Sequence, residues 1–454
     1  MININEINIA KHCIAYAMQQ GASAARVSLS KGSLDSCTML NGELDKVTHS
    51  ADRSVYLYIF VDGRYGTFST NRFEKEEIEA FIRNAVEMVR MLGQDEFRRL
   101  PDASRTADDA LTGLELDLYD PGFEENTTED RLEKARRLSI FSTLQTSDSY
   151  RLISEECEYT ESMDDNYVCD SQGFEGRHIE SSYSCFSEMT IEDNEGNKYS
   201  GYWWEATPKA DYMVIENCGR KALERAERQI GPMPRRGGRY KMVVDATVAT
   251  RLISPLFAAL NATSIQQKMS FLEDSVGKQV FPEGLTIMDM ARTPGKAGSR
   301  MFDTEGVATK NAPIIENGVV KQYFVNTYMA GKMGIEPTVE DISRPCVMPY
   351  LKGEALPLEE KDLSLKDILR RCANGILVTG FNGGNCNPVT GDFSYGVEGF
   401  AFSKGKITHP VREMLITGNI IELWNSLMAV GTDSLSSARW QVGSLAFENI
   451  SFSA

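Results

Sequence analysis

The histidines of this chain are too widely spaced to form a familiar hydrolytic metal site. The whole sequence holds four of them, at His12, His49, His178 and His409. Zinc peptidases commonly present two histidines on one helical face through the pattern H-E-x-x-H, because residues four apart lie one turn apart. No two histidines here have that spacing, so the sequence predicts no metal ligands and no catalytic residues in the chain. A zinc site assembled from residues distant in the sequence stays open as an alternative.

Nucleophile and nucleotide motifs are also missing from the sequence. It contains no G-x-S-x-G elbow for a reactive serine and no G-x-x-x-x-G-K-[ST] loop for a bound phosphate. Its nine cysteines are scattered without a C-x-x-C pair, which is typical of reduced thiols in a cytoplasmic protein. Cys386 lies in a glycine-rich stretch, where it is either a small turn residue or a nucleophile whose activating partner is distant in sequence.

The charge balance argues against nucleic acid and the membrane as direct partners. The chain carries 65 acidic and 48 basic side chains, for a formal net charge of −17. Such a protein is repelled by phosphate backbones. No stretch approaches the roughly 20 apolar residues that span a bilayer, and polar residues interrupt the N-terminal segment where a secretory signal needs an apolar run. We therefore expect a cytoplasmic protein that neither binds nucleic acid directly nor spans a membrane.

One segment is unlike ordinary globular sequence. Residues 380–402 read GFNGGNCNPVTGDFSYGVEGFAF, with glycines and polar residues set between apolar strand residues. Glycines such as Gly384 allow positive φ and close backbone approach. The amide of Asn385 is polar, and the carboxylate of Asp392 can accept hydrogen bonds from turn amides. These three residues are the candidates for a functional surface, with a buried structural turn as the alternative.

The N-terminal half of the chain, which precedes this segment, is predicted to consist of helices and strands. Helical spacing of apolar residues predicts helices over 5–20 and 74–92. A capping-box pattern at Thr127–Asp130 predicts a further helix over 127–144, and another is predicted over 211–230. Asn41-Gly42 and Asp62-Gly63 each follow a β-type run and predict tight hairpins. Residues 151–206 have the pattern of further strands joined by glycine turns.

A break in composition divides the chain into two predicted domains. The stretch 231–238 (GPMPRRGG) is too rich in proline and glycine to continue a helix. After it, a buried strand over 240–244 precedes an apolar helix over 247–260, and short strands with a few helices follow. We predict an α+β protein of two domains. Residues 1–234 would form a helix and antiparallel-sheet domain, and residues 239–454 a strand-rich domain with mixed helices.

The glycine-rich segment carries a resemblance to a known family. Val389–Phe400 (VTGDFSYGVEGF) resembles a strand-turn of the TldD/PmbA family of peptidases. Other segments resemble the same family in the same order along the chain: VDGRYGTFST at 61–70, DSQG at 170–173, SFLEDSVGKQVF at 270–281, FDTEGV at 302–307, LITGNIIELW at 415–424 and QVGSL at 441–445. The resemblance therefore covers nearly the whole chain.

Two departures place the chain nearer to one branch of that family. In the TldD branch, the second domain opens with a helix that carries H-E-x-x-x-H, and a late cysteine completes a zinc site. Here residues 247–260 (TVATRLISPLFAAL) contain neither histidine nor glutamate, and Val442 stands before Gly443 where some relatives have cysteine. The chain thus resembles the TldE/PmbA branch, which implies that it holds no cofactor and that zinc belongs to a TldD-like partner.

The resemblance implies a non-catalytic subunit of a peptidase that processes small or unfolded peptides. It would pair with a TldD-like subunit, or with a second copy of itself when alone. Gly384, Asn385 and Asp392 would then line part of a chamber for unfolded peptide. Two alternatives stay open: a regulatory protein acting by protein contact, as the family's label of a modulator of DNA gyrase suggests, and a self-sufficient peptidase with an unrecognised site.

Overall fold

The protein is described by a computed structural model that covers residues 1–144, 147–354 and 363–454. These residues form two compact units. The first unit contains 1–226, 292–310 and 325–340, and the second contains 227–291, 311–324 and 341–454. The continuous domain ranges 1–234 and 239–454 stay a prediction. The mixture of helices and sheets confirms the predicted α+β class.

A six-stranded antiparallel sheet with the order β3-β2-β1-β4-β5-β6 forms the first unit. Its strands are β1 (Ala24–Leu40), β2 (Glu43–Val61), β3 (Arg64–Thr70), β4 (Tyr150–Asp170), β5 (Glu175–Asp193) and β6 (Lys198–Thr207). Both predicted hairpin turns are confirmed, because Asn41-Gly42 and Asp62-Gly63 join neighbouring strands with positive φ at every residue. Strand β2 runs without a break from the first of these turns to the second.

Helices cover one face of this sheet, which is apolar because alternate strand residues point to the same side. They are α1 (Ile4–Gln19), α2 (Lys75–Arg90), α3 (Thr128–Leu138) and α4 (Cys218–Glu227). Helices α1 and α2 bury their apolar stripes against Val27, Leu57 and Ile59. Helix α3 opens with the predicted capping box between Thr127 and Asp130.

Two of these helices are shorter than the sequence predicts. Helix α3 ends at Leu138 instead of near 144, because buried Glu155 accepts hydrogen bonds from the hydroxyl of Ser139 and, at 2.8 Å, from the amide of Ile140. Helix α4 begins at Cys218 instead of near 211. Asp120 accepts a 3.0 Å hydrogen bond from the amide of Ala210, which holds the preceding residues in a separate short turn.

Aromatic and cationic contacts explain why two later segments belong to the first unit. Phe302 packs on Phe174 with ring centroids 5.5 Å apart. The guanidinium of Arg98 lies 3.4 Å from the ring centroid of Tyr328 and 4.8 Å from that of Tyr65. These contacts hold 292–310 and 325–340 against strands and loops that lie far earlier in the sequence.

The second unit is built on a seven-stranded sheet with the order β12-β16-β17-β15-β14-β13-β7. Strand β17 also pairs with β7, so that β7, β13, β14, β15 and β17 close into a ring. The strands are β7 (Gly238–Val244), β12 (Tyr350–Leu351), β13 (Gly375–Cys386), β14 (Asp392–Ser403), β15 (Lys406–Asn419), β16 (Leu427–Val430) and β17 (Leu445–Ser453). A smaller sheet with the order β10-β9-β8-β11 consists of β8 (Ile287–Asp289), β9 (Ala312–Glu316), β10 (Val319–Val320) and β11 (Pro345–Val347).

Short helices join these strands. They are α5 (Thr250–Ala259), α6 (Ala262–Gln266), α7 (Thr327–Met333), which belongs to the first unit, α8 (Leu365–Cys372) and α9 (Ile420–Asn425). The predicted helix after the first strand of the second domain is confirmed as α5, which buries Leu252, Ile253 and Leu256. Among the described residues, no helix is both long and apolar enough to cross a membrane.

Candidate functional site

Strands β13 and β14 with the turn between them, here called the glycine hairpin, hold all three candidate residues. Asn382 lies opposite Gly396, and Asn385 lies opposite Ser394. Three steps along β13 therefore match two steps along β14, so β13 carries one extra residue there. Gly383 and Gly384 accommodate this bulge with φ of 73° and 83°. A β-bulge of this kind turns the following side chain to a new direction, and here that side chain is Asn385.

Gly384 cannot be replaced without displacing the neighbouring strand. A Cβ atom at this position would lie 2.0 Å from the carbonyl oxygen of Ser394 and 2.8 Å from the Cα of Tyr395. Both contacts are with backbone, which cannot swing away as a side chain can. The two strands therefore approach each other more closely than any side chain would allow.

Asp392 is exposed to solvent, but its carboxylate oxygens already have partners. The side-chain amide of Asn419 donates to Oδ1 at 3.0 Å, and the hydroxyl of Thr390 donates to Oδ2 at 2.8 Å. These two hydrogen bonds hold the pKa of Asp392 below its ordinary value, and the bond from Asn419 has the larger effect. Asp392 thus closes the turn of the glycine hairpin and links it to the end of β15.

Two further residues of the glycine hairpin, Asn385 and Cys386, carry polar groups that differ in their surroundings. Asn385 is exposed, and its side chain makes no hydrogen bond to any other residue that the structure describes. Cys386 is partly buried, and this burial, together with the negative charge of Asp392, raises the pKa of its thiol. A raised pKa disfavours the thiolate, which is the nucleophilic form. The nucleophile alternative for Cys386 is weakened accordingly.

Arg251 connects the glycine hairpin to the helix that opens the second unit. Its Nη2 donates to the carbonyl oxygen of Gly384 at 2.7 Å, and its guanidinium lies 4.9 Å from the ring centroid of Tyr395. Arg251 was not identified from the sequence as a candidate. The one signal that could have indicated it is that Arg251 is the single charged residue between 247 and 260.

A cavity of about 720 Å³ adjoins the glycine hairpin within the second unit. It shares Asn419 with the hydrogen-bond network of Asp392. Its lining residues come from β7, from the ends of β14 and β15, from α9 with the residue after it, and from β17: Arg239, Phe393, Thr417, Gly418, Asn419, Glu422, Leu423, Asn425, Ser426, Glu448, Asn449, Ile450 and Ser451. This cavity was not predicted from the sequence, because it depends on how distant strands diverge.

The structure brings Gly384, Asn385 and Asp392 together on one hairpin. Asn385 pairs with Ser394 two residues after Asp392, and the amide of Asn387 donates to the carbonyl oxygen of Asp392 at 2.7 Å. Their proposed role in lining a peptide chamber stays a prediction. The geometry supports a structural role most directly for Gly384 and Asp392, and leaves Asn385 as the candidate with an uncommitted side chain.

Three of the four histidines lie beside separate acidic side chains. His12 lies 2.9 Å from Glu79, His49 lies 2.8 Å from Asp35, and His178 lies 3.6 Å from Glu180. Across 1–144, 147–354 and 363–454, no group of three or more histidine, cysteine or acidic side chains is arranged to hold a metal ion. The prediction that zinc resides in a partner stays a prediction.

Comparison with known proteins identifies the class of protein to which this fold and hairpin belong. Residues 25–89 match domain 1 of the PmbA/TldA metallopeptidases, residues 121–230 match their central domain, and residues 237–454 match their C-terminal domain. A metalloprotease PmbA homolog of Haemophilus influenzae is 27% identical over 97% of this chain and 94% of its own. The metalloprotease PmbA of Escherichia coli O157:H7 is 26% identical over 93% of this chain and 90% of its own.

Solved structures agree with this assignment. A protein of Bacteroides thetaiotaomicron, whose name refers to modulation of DNA gyrase, is 37% identical, with each chain covered completely and a TM-score of 0.93. TldE from Thermococcus kodakarensis shares the fold, with a TM-score of 0.79 at 17% identity over 98% of this chain and 100% of its own. The chain belongs to the TldD/PmbA family.

Proposed function

We propose that this chain is the non-catalytic, TldE/PmbA-like subunit of a TldD/TldE-type metallopeptidase that processes small or unfolded peptides. The observation that carries the proposal is the composition of residues 247–260, which contain neither histidine nor glutamate. A zinc peptidase needs ligands to hold the metal and a general base to act on its bound water. The helix from which the TldD branch supplies these groups therefore cannot supply them here.

The contacts of α5 support a structural role for that helix. Its apolar side chains Leu252, Ile253 and Leu256 are fully buried, so the helix remains a part of the core. Its single charged residue, Arg251, binds the carbonyl oxygen of Gly384 and faces Tyr395. The cation would be a poor neighbour for a zinc ion, whose own positive charge it would repel.

In this proposal the catalytic metal comes from another chain. A TldD-like subunit would supply zinc, its ligands and the general base, while this chain would supply part of the chamber that holds an unfolded peptide. In the absence of such a subunit, the chain would pair with a second copy of itself.

The glycine hairpin is the part of this chain that we assign to the chamber. Asn385 offers an exposed amide that can donate to and accept from a peptide backbone. Gly384 and Asp392 would support it from within the hairpin, through the bulge and through the bonds to Thr390 and Asn419. The alternative is that all three residues only form the turn.

The decisive experiment is a peptidase assay on the purified chain with and without a TldD-like partner from the same cell. We expect cleavage of casein and small peptides only in the mixture, and loss of cleavage when the partner's zinc ligands are replaced. Robust cleavage by this chain alone, surviving repurification and insensitive to chelators, would instead favour a self-sufficient peptidase.

A regulatory role is the second candidate, and one comparison favours it. The Bacteroides thetaiotaomicron relative has a name that refers to modulation of DNA gyrase. A net charge of −17 opposes contact with DNA but permits contact with a basic protein surface. Native co-purification from the source organism separates the candidates, since a TldD-like chain should co-elute under the first proposal and a different protein under the second.

A further inference from the structure

Strand β2 in the first unit has a long edge that no described strand covers. Its residues 55–61 pair with β3, but residues 43–54 pair only with β1, on their other side. We call residues 43–54 the free edge of β2. They are all exposed except Thr48 and Ser54, which are half-buried, whereas the rest of the strand is mostly buried. Such an edge presents amide and carbonyl groups to which another strand can bond.

The backbone groups that point outward from the free edge follow from the hairpin at Asp62-Gly63. In a two-residue hairpin, the flanking residues, here Val61 and Arg64, are hydrogen-bonded to each other. The direction of hydrogen bonding alternates along a strand, so every second residue before Val61 points to the same side. The register of β2 on β1 does not shift between Ser54 and Lys46, so the alternation continues there. The outward residues of the free edge are therefore Val47, His49, Ala51 and Arg53.

The two ends of the free edge limit how a second strand can lie against it. One end is the turn at Asn41-Gly42, and at the other end β3 takes the neighbouring position from Val55 onward. Two copies of the edge can pair antiparallel about a two-fold axis. The pairing that uses the edge fully without entering the place of β3 sets Leu44 opposite Ser54 and His49 opposite its own copy. A strand of this length spans about 35 Å.

The charges of the free edge are complementary in that same arrangement. Lys46 of each copy lies opposite Asp52 of the other, and opposite charges directly across two strands stabilise their pairing. Both side chains are exposed, and neither has an ion-pair partner within 1–144, 147–354 and 363–454. Moving the centre by one residue in either direction places Lys46 opposite Ser50 or Ser54, where no carboxylate faces it. Length and charge therefore select the same register.

The ends of the free edge are less regular than its centre. A β-bulge lies at Asp45, where the register of β2 on β1 shifts. Arg53, which would lie opposite Asp45, already forms an ion pair with Glu6 at 3.5 Å and lies 4.3 Å from the ring centroid of Phe73. Residues 46–52 are thus the part of the edge whose geometry and charges are free to pair.

Charged side chains and bulges on an edge strand also prevent uncontrolled association, which is the alternative explanation of this surface. Such protection needs no particular order of charges, whereas the order here matches its own reverse around His49. Pairing would also set Val47, which is 49% exposed, opposite Ala51 of the second copy. The two His49 rings would meet at the centre, and each lies 2.8 Å from the carboxylate of its own Asp35.

We propose that the free edge of β2 is a homodimer interface, in which two copies of the chain pair antiparallel around His49 and join their six-stranded sheets. This inference rests on the proposed function in one respect, since both expect the chain to pair with a second copy when no TldD-like subunit is present. It assigns that contact to a surface of the first unit, and it requires no metal, substrate or cleavage.

The test is sedimentation velocity of the purified full chain over a range of concentrations. We expect an equilibrium between monomer and dimer. Lys46→Glu sets two carboxylates against each other at both symmetric positions and should weaken the dimer about tenfold, and Asp52→Lys should do the same. Lys198→Glu reverses an exposed lysine on β6, at the opposite edge of the sheet, and is the matched control that should have no effect. A folded chain that stays monomeric, or a dimer that both charge variants leave unchanged, would overturn the proposal.

Mixing the two charge variants tests the register itself. In a mixed dimer of Lys46→Glu and Asp52→Lys protein, both cross-strand pairs again join opposite charges. We expect the mixture, and also the double variant, to recover the dimer that each single variant loses. If neither recovers it, the two side chains do not face each other and the proposed register is wrong.

A proline on the free edge tests pairing through the backbone. Ala51→Pro removes an outward amide donor and leaves the hydrogen bonds to β1 in place, as prolines on edge strands do. We expect it to weaken the dimer as the charge variants do. An unchanged dimer of folded Ala51→Pro protein would overturn strand pairing, and the charge variants decide if this variant does not fold.

Separate outcomes distinguish this inference from the proposed function. A charge-dependent dimer, with no peptide processing by any mixture with a TldD-like chain, would support the interface and overturn the proposed function. Processing by such a mixture, with a chain that never associates with itself, would overturn this inference alone. If Lys46→Glu weakens binding to a TldD-like chain and leaves the homodimer unchanged, the free edge belongs to that partner and the proposal of a second copy is overturned.

Discussion

At the scale of single residues, the glycine hairpin distinguishes two reasons why a position needs glycine. One is a positive φ, and the other is a close contact with the backbone of the opposite strand. Gly383 and Gly384 both have positive φ, but only Gly384 has backbone atoms of the opposite strand where a side chain would begin. Gly383 has nothing within 4 Å of that position. The two neighbours therefore form a matched pair in which steric contact alone differs.

Replacing these glycines by alanine measures that difference. We expect Gly384→Ala to lower the free energy of unfolding by about 2–5 kcal/mol, the sum of left-handed strain and overpacking. Gly383→Ala should cost only the strain, about 1–2 kcal/mol. Urea denaturation of both variants makes the comparison. Similar losses at the two positions would show that the close approach to Ser394 is relieved by a small strand movement.

Asp392 predicts a pH dependence with a definite sign. Its pKa is lowered in the folded protein by Asn419 and Thr390, so its contribution to stability is present above the unfolded pKa of about 3.9. That contribution is lost as the pH falls through the folded value. We expect Asp392→Asn to lower the melting temperature at pH 7 and to differ less from the parent at pH 3. A constant difference at both pH values would contradict this account.

At the scale of elements, Arg251 is the link between α5 and the glycine hairpin. We expect Arg251→Ala to lower the free energy of unfolding by about 0.5–1.5 kcal/mol, through the lost charge-assisted hydrogen bond and ring contact at an exposed site. Hydrogen exchange at 383–385 should also become faster. Arg370→Ala is the control, because Asp367, one helical turn away, is the only ion-pair partner of Arg370 among the described residues, and the change should cost less than about 0.5 kcal/mol. Unchanged exchange in the hairpin would show that α5 does not hold it.

The sequence predicted the elements whose determinants are local. Asn41-Gly42 and the capping box at Thr127 identified a hairpin and a helix start, because turn and cap residues act on their own neighbours. The end of α3 was missed because it depends on Glu155, which is distant in sequence and accepts a hydrogen bond from the amide of Ile140. Arg251 and the cavity beside the glycine hairpin were missed for the same reason, since both depend on segments more than 30 residues apart meeting in space.

Asn385 tests the hairpin as a chamber wall without a confounding loss of stability. Its side chain makes no hydrogen bond to another described residue, so Asn385→Ala should leave the melting temperature nearly unchanged. If the hairpin lines the chamber, this variant should reduce peptide processing by the assembled pair. Asn382→Ala, which removes an exposed amide bonded to Glu398, is the control on the same hairpin. Full processing by stable Asn385→Ala protein would leave the segment a structural turn.

At the scale of the whole molecule, the chain has the family fold although residues 247–260 contain neither histidine nor glutamate. The core of the second unit depends on apolar residues such as Leu252, Leu445 and Phe447, all of them fully buried. None of these contacts needs a metal ion. Under the proposed function, α5 can therefore lack zinc ligands at little cost to folding, because a partner would supply the catalytic site.

Metal content tests directly whether the zinc is held by the partner and not by this chain. We expect the purified chain to hold well under one zinc per molecule after mild chelation, because the sequence offers no paired histidines and 247–260 offer no acidic ligand. A TldD-like partner prepared in the same way should keep its zinc, and their mixture should contain no more metal than the partner alone. The measurement is elemental analysis of the gel-filtered proteins. Stoichiometric zinc retained by this chain against chelator, with ligands mapped to its own residues, would refute the TldE-like assignment, because the metal would then reside in the subunit that we propose lacks it.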